Sequence, residues 1–433
     1  MKQKFIISTI ILIIGGFLTK VLGMLIKIIV TRLIGVEGMG IYMLIMPTFS
    51  LFIALAQLGF PISISKIVSE DRKNNKNIIF SSFFLSIIIN LILFFIILLI
   101  SPILSKYLLH DTRCYLPLIS IALVLPFISI SSILRGYFFG KERMFPHVLS
   151  NVCEQIIRLI ILMLIVPSLI VKGIDIALSF IVLVNIISEG LSIVILYLFL
   201  PKKIKLSKND IIPDKTNMKD VLNTSIPTTS SRLIGLIGYF FEPIILTSTL
   251  LFLGYKSNWI ISEYGLITGF VMPLLMIPSF FTQAISQALI PVVSRAYSNR
   301  RIPYIKAKLY QSLIISITIG LAITFLLMIN PEFFLKFIYN TTEGSHYLKV
   351  LAPFFLFYYI QIPLLSVLQA TNHAKEGMIS TLKGTIMKTA LLFILSLFKI
   401  GMYGLIIATI VNIIYVTYNQ FKLVRNKVLK KAY

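Results

Sequence analysis

Charged residues are scarce in this sequence. Asp, Glu, Lys and Arg make up 13% of its 433 residues, whereas hydrophobic residues make up 57%. A soluble domain carries about 25% charged residues, so this deficit argues against an ordinary soluble fold. Apolar runs instead follow one another from Phe5 almost to Lys422. Each run is long enough for a helix to cross about 30 Å of hydrocarbon, which takes roughly 20 residues. The sequence therefore predicts many membrane spans.

Residues and motifs for catalysis or metal binding are also sparse. The only two cysteines, Cys114 and Cys153, lie in different helical regions, which supports neither a disulfide framework nor a zinc site. The four histidines are isolated and form no metal-ligand pattern: His110, His147, His346 and His373. No Gly-Lys-Ser or Gly-Lys-Thr phosphate loop occurs, so the chain carries no ATPase of its own. We therefore expect no catalytic residues, no metal and no cofactor.

The apolar runs lack the polar–apolar alternation that a membrane β-barrel requires, as Ile78–Ile100 and Leu313–Ile329 illustrate. The first run follows Lys2 and Lys4 like a signal peptide, but it continues to Ile34 without a small-residue cleavage site. We therefore predict an all-α polytopic membrane protein with about twelve transmembrane helices. Their approximate bounds are 5–34, 39–66, 78–105, 113–139, 146–171, 174–200, 219–252, 259–292, 307–330, 346–372, 376–398 and 401–422.

Acidic residues are far fewer than basic ones. The sequence has 16 Asp and Glu against 40 Lys and Arg, for a net charge of +24. In a soluble protein this excess would suggest nucleic-acid binding, but here the cations follow a membrane topology. With twelve spans, 25 of the 40 fall at the N-terminus, the even-numbered loops and the C-terminus, and only 8 fall in the odd-numbered loops. Because Lys and Arg mark the cytoplasmic side, we predict two cytoplasmic termini and no nucleic-acid partner.

A Lys-rich polar stretch divides the sequence into similar halves. We predict a lobe of six helices over 1–200, a basic cytoplasmic linker at 201–218 and a second lobe of six helices over 219–433. Two pairs of segments match in the same order: Ile133–Met144 with Val367–Met378, and Thr19–Gly23 with Ser231–Gly235. An even number of spans per half makes the repeat parallel, and transporters built from such halves bind substrate between them.

Several charged residues lie deep inside the predicted spans, where each costs at least about 2.5–3.5 kcal/mol and needs a reason. Most are cations: Lys20, Lys27, Arg135, Arg158, Arg232, Lys383 and Lys388, against the acids Glu154, Glu189 and Glu242. In the first span, Gly16, Lys20, Gly23 and Lys27 are spaced to lie on one helix face. The two lysines are then roughly 10 Å apart along the axis. We predict that the two lysines give this face a positive charge and that the two glycines, which have no side chain, allow close approach to it.

Cations of the two halves take comparable positions. Lys20 and Arg232 match in the first helix of each half, and Arg158 and Lys388 lie within one turn of matching positions in the fifth. We predict a cationic site for an anionic substrate, formed by Lys20, Lys27, Arg158, Arg232 and Lys388. The alternative for any one cation is a side chain that reaches to the interface, or a structural pair such as Arg158 with Glu154 one turn away.

Two motifs carry a resemblance to a known family. One consists of Thr19-Lys-Val-Leu-Gly23 and Thr31-Arg-Leu-Ile-Gly-Val-Glu-Gly-Met-Gly-Ile-Tyr42, and the other of Arg135-Gly-Tyr-Phe-Phe-Gly140 and Asn151-Val-Cys-Glu-Gln155. They are similar to motifs of the stage V sporulation protein B group of polysaccharide-biosynthesis flippases, in the multidrug/oligosaccharidyl-lipid/polysaccharide exporter superfamily. The resemblance, over nearly the whole chain, implies two pseudo-symmetric lobes of six helices around a central cavity. It also implies that Lys20 and Lys27 line this cavity, with Arg32 near its outer edge.

The resemblance implies a flippase that carries a polyprenyl-pyrophosphate-linked saccharide to the outer leaflet of a bacterial cytoplasmic membrane. The alternative is a multidrug or cation antiporter of the same superfamily, which usually couples through buried carboxylates. Glu242 is accordingly a counter-charge to the cations or a site for a coupling ion. A membrane glycosyltransferase would need a sizeable polar catalytic loop, and the sequence has none. We expect the anionic lipid-linked saccharide and membrane lipids as partners, and a monomer.

Overall fold

The computed structural model describes residues 2–70, 75–200 and 212–429. These residues form helices joined by short turns, with no strand among them, which confirms the predicted all-α fold. Within the same ranges, eleven helices are long and apolar enough to cross a membrane. The chain is therefore a multi-pass membrane protein. Most of the predicted linker at 201–218 lies outside the described residues.

The helices form two compact units, Met1–Phe240 and Phe241–Tyr433. We number the described α-helices α1 (Lys2–Gln57), α2 (Phe60–Ser69), α3 (Asn75–Ile103), α4 (Tyr115–Gly140), α5 (Met144–Ile170), α6 (Ile174–Leu198), α7 (Lys215–Phe252), α8 (Ser257–Gly265), α9 (Met272–Leu275), α10 (Ile277–Ser298), α11 (Ile302–Ile329), α12 (Pro331–Tyr339), α13 (Ser345–Ala370), α14 (Ala374–Ser396) and α15 (Tyr403–Leu423). Three π-helical segments, Leu104–Leu108, Leu266–Val271 and Val424–Leu429, and the 3₁₀ turn Thr112–Cys114 continue or connect them.

A glycine interrupts α1 where the sequence predicts the loop between the first two spans. Gly35 has a φ of 68° and a ψ of −170°, which is not helical and which glycine adopts without a side-chain clash. Beside this break, Glu37 accepts a hydrogen bond from Arg113, which also donates to Asp111 at 2.7 Å. These ion pairs hold the break in α1 against the start of α4. The first predicted span is thus the first arm of α1. The second, 39–66, is not one continuous helix, because it consists of the second arm of α1 and most of α2.

The beginning of α7 belongs to the first unit because it packs on α2. Val221 is buried in one cluster with Phe60, and the Ser225 hydroxyl donates to the Ser63 hydroxyl at 2.8 Å. The division between the two units consequently falls inside α7. The boundary at 201–218 stays a prediction.

The predicted span 259–292 is not one continuous helix, which corrects the prediction. Pro273 and Pro278 lack the backbone N–H that a helix uses for its hydrogen bonds, and the helix breaks between α9 and α10. At the break, the Leu275 carbonyl accepts a 2.7 Å hydrogen bond from the buried Tyr359 hydroxyl. A neighbouring helix therefore satisfies a backbone group that the break leaves unpaired, as the membrane interior requires.

The turn between α4 and α5 and the turn between α13 and α14 share one geometry. Glu142 and Asn372 have φ angles of 55° and 61°, and in both turns the next N–H donates to the carbonyl five residues before it. These turns align at an offset of 230 residues, one helical turn less than the 234 of the matching segments. At this offset Arg158 and Lys388 occupy equivalent positions in α5 and α14.

Helices α1 and α5 are in close contact at Gly15. A Cβ atom at Gly15 would overlap the Val148 side chain, whereas one at Gly16 would meet nothing within 4 Å among the described residues. Gly15→Ala should therefore lower the free energy of unfolding by about 1–3 kcal/mol through overpacking. Gly16→Ala should be neutral or stabilising by up to about 1 kcal/mol, because alanine favours the helix. Thermal unfolding in detergent measures both, and equal midpoints would contradict this packing.

Candidate functional site

Lys20 and Lys27 lie on an open face of α1. Both side chains are partly exposed, and neither forms a hydrogen bond or ion pair with another described residue. A Cβ atom at Gly16 or Gly23 on the same face would meet no described atom within 4 Å. The glycines are therefore not used for packing against another described helix, and the contact with α5 is made one residue earlier in α1, at Gly15. The surface of close approach stays a prediction. The face presents two uncompensated cations beside open space.

Arg232 is exposed on α7 within the first unit. Its guanidinium donates a 3.1 Å hydrogen bond to the side-chain oxygen of Gln57, which leaves its positive charge without a carboxylate partner in the described part of the chain. No described contact joins Arg232 to Lys20 or Lys27. The structure thus places these three predicted site residues in one unit without bringing them into contact.

Arg135 occupies the centre of a buried ionic network in the first unit. Its Nη2 atom donates to Glu154 Oε2 at 2.7 Å, to Glu189 Oε2 at 3.1 Å and to the Ser192 hydroxyl at 3.0 Å. The side chain is 15% exposed, and those of the two glutamates are 6% and 8% exposed. Arg135 therefore does not reach to the membrane interface, which was one interpretation of its position. It joins α4 to α5 and α6.

Arg158 belongs to the same network. Its Nη2 atom donates to Glu154 Oε1 at 2.7 Å and to the Ser188 hydroxyl at 3.2 Å. The structural pair with Glu154 that the sequence allowed is thus present. Two arginines face two glutamates here, so the network has no net charge, and a buried cation with its own carboxylate attracts an anion less strongly than an uncompensated one. The role of Arg158 in anion binding stays a prediction.

Lys388 and Glu242 form a separate ion pair in the second unit. Lys388 Nζ lies 2.6 Å from Glu242 Oε2, and the Tyr264 hydroxyl is 3.4 Å from the other carboxylate oxygen. The Glu242 side chain is 7% exposed and the Lys388 side chain 18% exposed. This geometry is that of a counter-charge, because an internal ammonium takes the carboxylate oxygen that an ion would need. Whether Glu242 also couples transport to an ion stays open to experiment.

We expect Glu242→Gln to weaken the fold without changing the dependence of transport on an ion gradient. Loss of a charged hydrogen bond to Lys388 should cost about 1–3 kcal/mol of stability. Transport by the variant in proteoliposomes, normalised to folded protein, should respond to sodium and proton gradients as the wild type does. Glu332→Gln, at an exposed position of α12, is the control. Transport lost only when a gradient drives it would assign Glu242 to coupling.

Comparison with known proteins decides the family. A family model described as polysaccharide biosynthesis protein matches residues 6–297, and a second model, MatE, matches residues 237–394. The chain is 35% identical to stage V sporulation protein B of Bacillus subtilis (strain 168), over 96% of this chain and 82% of that protein. The chain belongs to the polysaccharide biosynthesis protein family. The predicted membership is confirmed.

Two further comparisons show that this family member is similar to a flippase in sequence and to a multidrug transporter in fold. It is 24% identical to lipid II flippase MurJ of Bacillus subtilis (strain 168), over 90% of this chain and 77% of that protein. Its fold is similar to that of an inward-facing multidrug resistance MATE family transporter of the MOP superfamily. The TM-score is 0.74 at 17% identity, over 95% of this chain and 96% of the other. The chain therefore has the fold of an exporter or flippase of that superfamily.

This member of the polysaccharide biosynthesis protein family carries two kinds of intramembrane cation. Arg135, Arg158 and Lys388 are each matched by a buried carboxylate. Lys20, Lys27, Arg232 and Lys383 have no such partner among the described residues. The sequence showed that every member of both groups is a charged residue deep inside a predicted span. It did not separate the two groups, since Arg158 and Lys388 were predicted to belong to the anion site. Arg158 and Glu154 are one helical turn apart, which the sequence shows. The pairing of Arg135 and Lys388 depends on which helices are neighbours, and no local sequence signal reports that.

Proposed function

We propose that the protein is a flippase that moves a polyprenyl-pyrophosphate-linked saccharide from the inner to the outer leaflet of a bacterial cytoplasmic membrane by alternating access. One observation carries the proposal: Lys20 and Lys27 present uncompensated positive charge on an open face of a membrane helix. Burying such charges is costly, so their presence needs an anionic partner. We propose that the pyrophosphate of a lipid-linked saccharide is that anion.

The chemistry of the lysine face suits a pyrophosphate. Lys20 and Lys27 are seven residues apart, or roughly 10 Å along the helix axis, and each ammonium offers three donors on a flexible stem. We propose these two lysines as direct ligands and Arg232 as a further cation. Arg158 and Lys388, the remaining members of the predicted site, would contribute only at longer range, because Glu154 and Glu242 compensate them.

The membrane potential can supply part of the driving force for this movement. An elementary charge gains about 2.3 kcal/mol per 100 mV across the membrane. Two net negative charges that move outward through an inside-negative field would gain roughly 4–5 kcal/mol if the protein's own charges stay in place. Such a gain drives accumulation without ATP, in agreement with the absence of a nucleotide-binding loop from the sequence.

Reconstitution tests the proposed function directly. Proteoliposomes that contain a fluorescent polyprenyl-pyrophosphate-linked sugar in both leaflets are treated with an impermeant quencher, and the protected fraction reports transbilayer movement. If the protein is a flippase, the protected fraction should fall rapidly. The fall should be faster when the membrane potential is negative on the donor side. Uptake of an organic cation against a proton or sodium gradient, with no movement of the lipid-linked sugar, would support the antiporter instead.

The orientation in the membrane is a separate prediction. We propose two cytoplasmic termini, so single cysteines at Lys172, Lys256 and Lys336 should react with an impermeant thiol reagent added outside intact cells. Cysteines at Lys76 and Arg300 should not react. A cysteine at Lys205, also predicted not to react, lies outside the described residues. The native Cys114 and Cys153, buried and half-buried, are first replaced by serine. Labelling of the Lys205 or Arg300 site in intact cells would overturn this topology.

A further inference from the structure

The second unit has a cavity at one end of two membrane helices that the transport proposal does not use. It lies between the first turns of α11 and the π-helical segment that follows α15, and its volume is about 250 Å³. Drug-sized ligands occupy pockets of about 300–1,000 Å³, so this one suits a headgroup rather than a whole lipid. Its lining residues are Lys306, Leu309, Tyr310, Leu313, Phe421, Val424, Arg425 and Leu429.

The cavity combines two free cations with a fixed apolar floor. Lys306 and Arg425 come from different helices, are exposed, and form no ion pair or hydrogen bond with another described residue. Leu309 and Val424 at the floor are 2% and 1% exposed and belong to the core of the unit. The two cations therefore stand at the rim of a rigid depression that fits one phosphate group and its ester substituent.

No acidic residue is available nearby in sequence to compensate these cations. The chain has no Asp or Glu from residue 264 to 331 or from 377 to 433. These stretches include all of α10, α11 and α15, and the part of α14 that follows Glu376 in its first turn. The same stretches carry further Lys and Arg close to the cavity in sequence: Arg295, Arg300, Arg301, Lys308, Lys422 and Lys427. Their field attracts anions and repels cations, so the ligand of this cavity is an anion.

Apolar and aromatic surface beside the cavity indicates that the anion is attached to a lipid. Tyr310 and Phe421 at the mouth are 45% and 42% exposed, as aromatic side chains at the membrane interface commonly are. From them, exposed Ile314 and Ile317 continue along the same face of α11, and Ile414 along α15. A lipid with its headgroup in the cavity would have its acyl chains along these residues.

We propose that this cavity binds the phosphate of an anionic phospholipid such as phosphatidylglycerol. Basic pockets between membrane helices recognise anionic headgroups in this way. The phosphate would accept charge-assisted hydrogen bonds from Lys306 and Arg425, while the acyl chains cover Tyr310 and Phe421. The site is independent of the substrate that the protein transports, and it would anchor α11 and α15 to one leaflet.

Lipid binding to matched variants tests the site. Native mass spectrometry of the delipidated full chain, titrated with phosphatidylglycerol, should show one adduct. Lys306→Gln with Arg425→Gln should weaken it about 25-fold, at roughly fivefold for each of the two charges. The control is Lys308→Gln with Lys427→Gln, which removes the same charge from the same two segments but from residues outside the cavity lining. It should weaken binding less than threefold. Equal losses of phosphatidylglycerol binding in the two double variants would mean that the overall positive charge attracts the lipid. That result would refute a specific site in the cavity.

Two further arms identify the source of the phosphate. Phosphatidylcholine, which has the same phosphate but no net charge, should bind at least tenfold more weakly than phosphatidylglycerol. Inorganic phosphate at the concentration of the lipid should not displace it, because phosphate lacks the acyl chains. Displacement would assign the cavity to a soluble anion and refute the lipid proposal. The charge-retaining variant Lys306→Arg with Arg425→Lys should bind the lipid normally. If thermal unfolding shows that this variant is folded but it does not bind the lipid, the lipid proposal is also refuted.

Discussion

Replacing Glu154 by alanine should destabilise the protein by about 3–5 kcal/mol, the range for removal of one partner from a buried ion pair. Glu154 accepts 2.7 Å hydrogen bonds from both Arg135 and Arg158. Without it, only Glu189 remains to face two buried guanidinium groups, and α5 loses its polar link to α4. The penalty comes mainly from uncompensated charge, since the Glu154 side chain is 6% exposed and water reaches it poorly.

Chemical or thermal unfolding in a defined detergent measures this loss. Glu70→Ala, at an exposed position of the first unit, is the matched control and should change stability by less than about 0.5 kcal/mol. The second informative variant removes one negative and one positive charge together. Glu154→Leu combined with Arg158→Met should recover much of the loss, because an ion pair replaced by apolar residues is often neutral. A Glu154→Ala protein as stable as the control would contradict the network.

The network also has a consequence for how the first unit behaves during transport. Arg135, Glu154 and Glu189 connect α4, α5 and α6 through ion pairs between side chains in a region of low dielectric constant. Separating these helices would expose unpaired charges. We therefore expect the three helices to move together, with conformational change confined to other helices of the chain.

Much of the fold could be predicted from the sequence because membrane spans depend on local composition. The apolar run at 146–171 corresponds to α5, and the one at 174–200 to α6, each within two residues at either end. One exception is 259–292, where Pro273 and Pro278 lie at the starts of α9 and α10 and the helix is interrupted between them. Proline is tolerated in membrane helices when neighbours satisfy the freed backbone groups. Here the neighbour is Tyr359, and the sequence does not say that it is close.

The candidate site could be predicted only in part, for an electrostatic reason. Counting charges along the chain showed that cations outnumber acids in the spans, and this excess predicts an anion. The count does not show which cations are already compensated. Arg158 with Glu154 was visible as a pair at helical spacing, but Arg135 with Glu189 and Lys388 with Glu242 join residues 54 and 146 positions apart. Only the packing of the helices shows that Lys20, Lys27, Arg232 and Lys383 lack a carboxylate partner among the described residues.

Reversing the charge of the lysine face should produce the largest loss of transport. Each charge-assisted contact with the pyrophosphate contributes about 1.5–3 kcal/mol, which corresponds to roughly a 10- to 100-fold change in affinity. Lys20→Glu and Lys27→Glu should each lower flipping of the fluorescent lipid-linked sugar at least 10-fold. Lys20→Arg should keep most of it, because positive charge rather than shape is the main requirement. Arg232→Lys should likewise be mild and Arg232→Glu severe.

The matched control is Lys383→Glu, which reverses a charge in a membrane helix at an exposed position outside the proposed ligands. It should flip at nearly the wild-type rate. Each variant is first checked for expression, insertion and thermal stability, so that a loss of fold is separated from a loss of binding. Inorganic pyrophosphate should compete with the sugar in the wild type and much less in Lys27→Glu. Glutamate variants of Lys20 and Lys27 that are folded, inserted and flip at normal rates would refute the anion site, because a carboxylate there would repel the pyrophosphate.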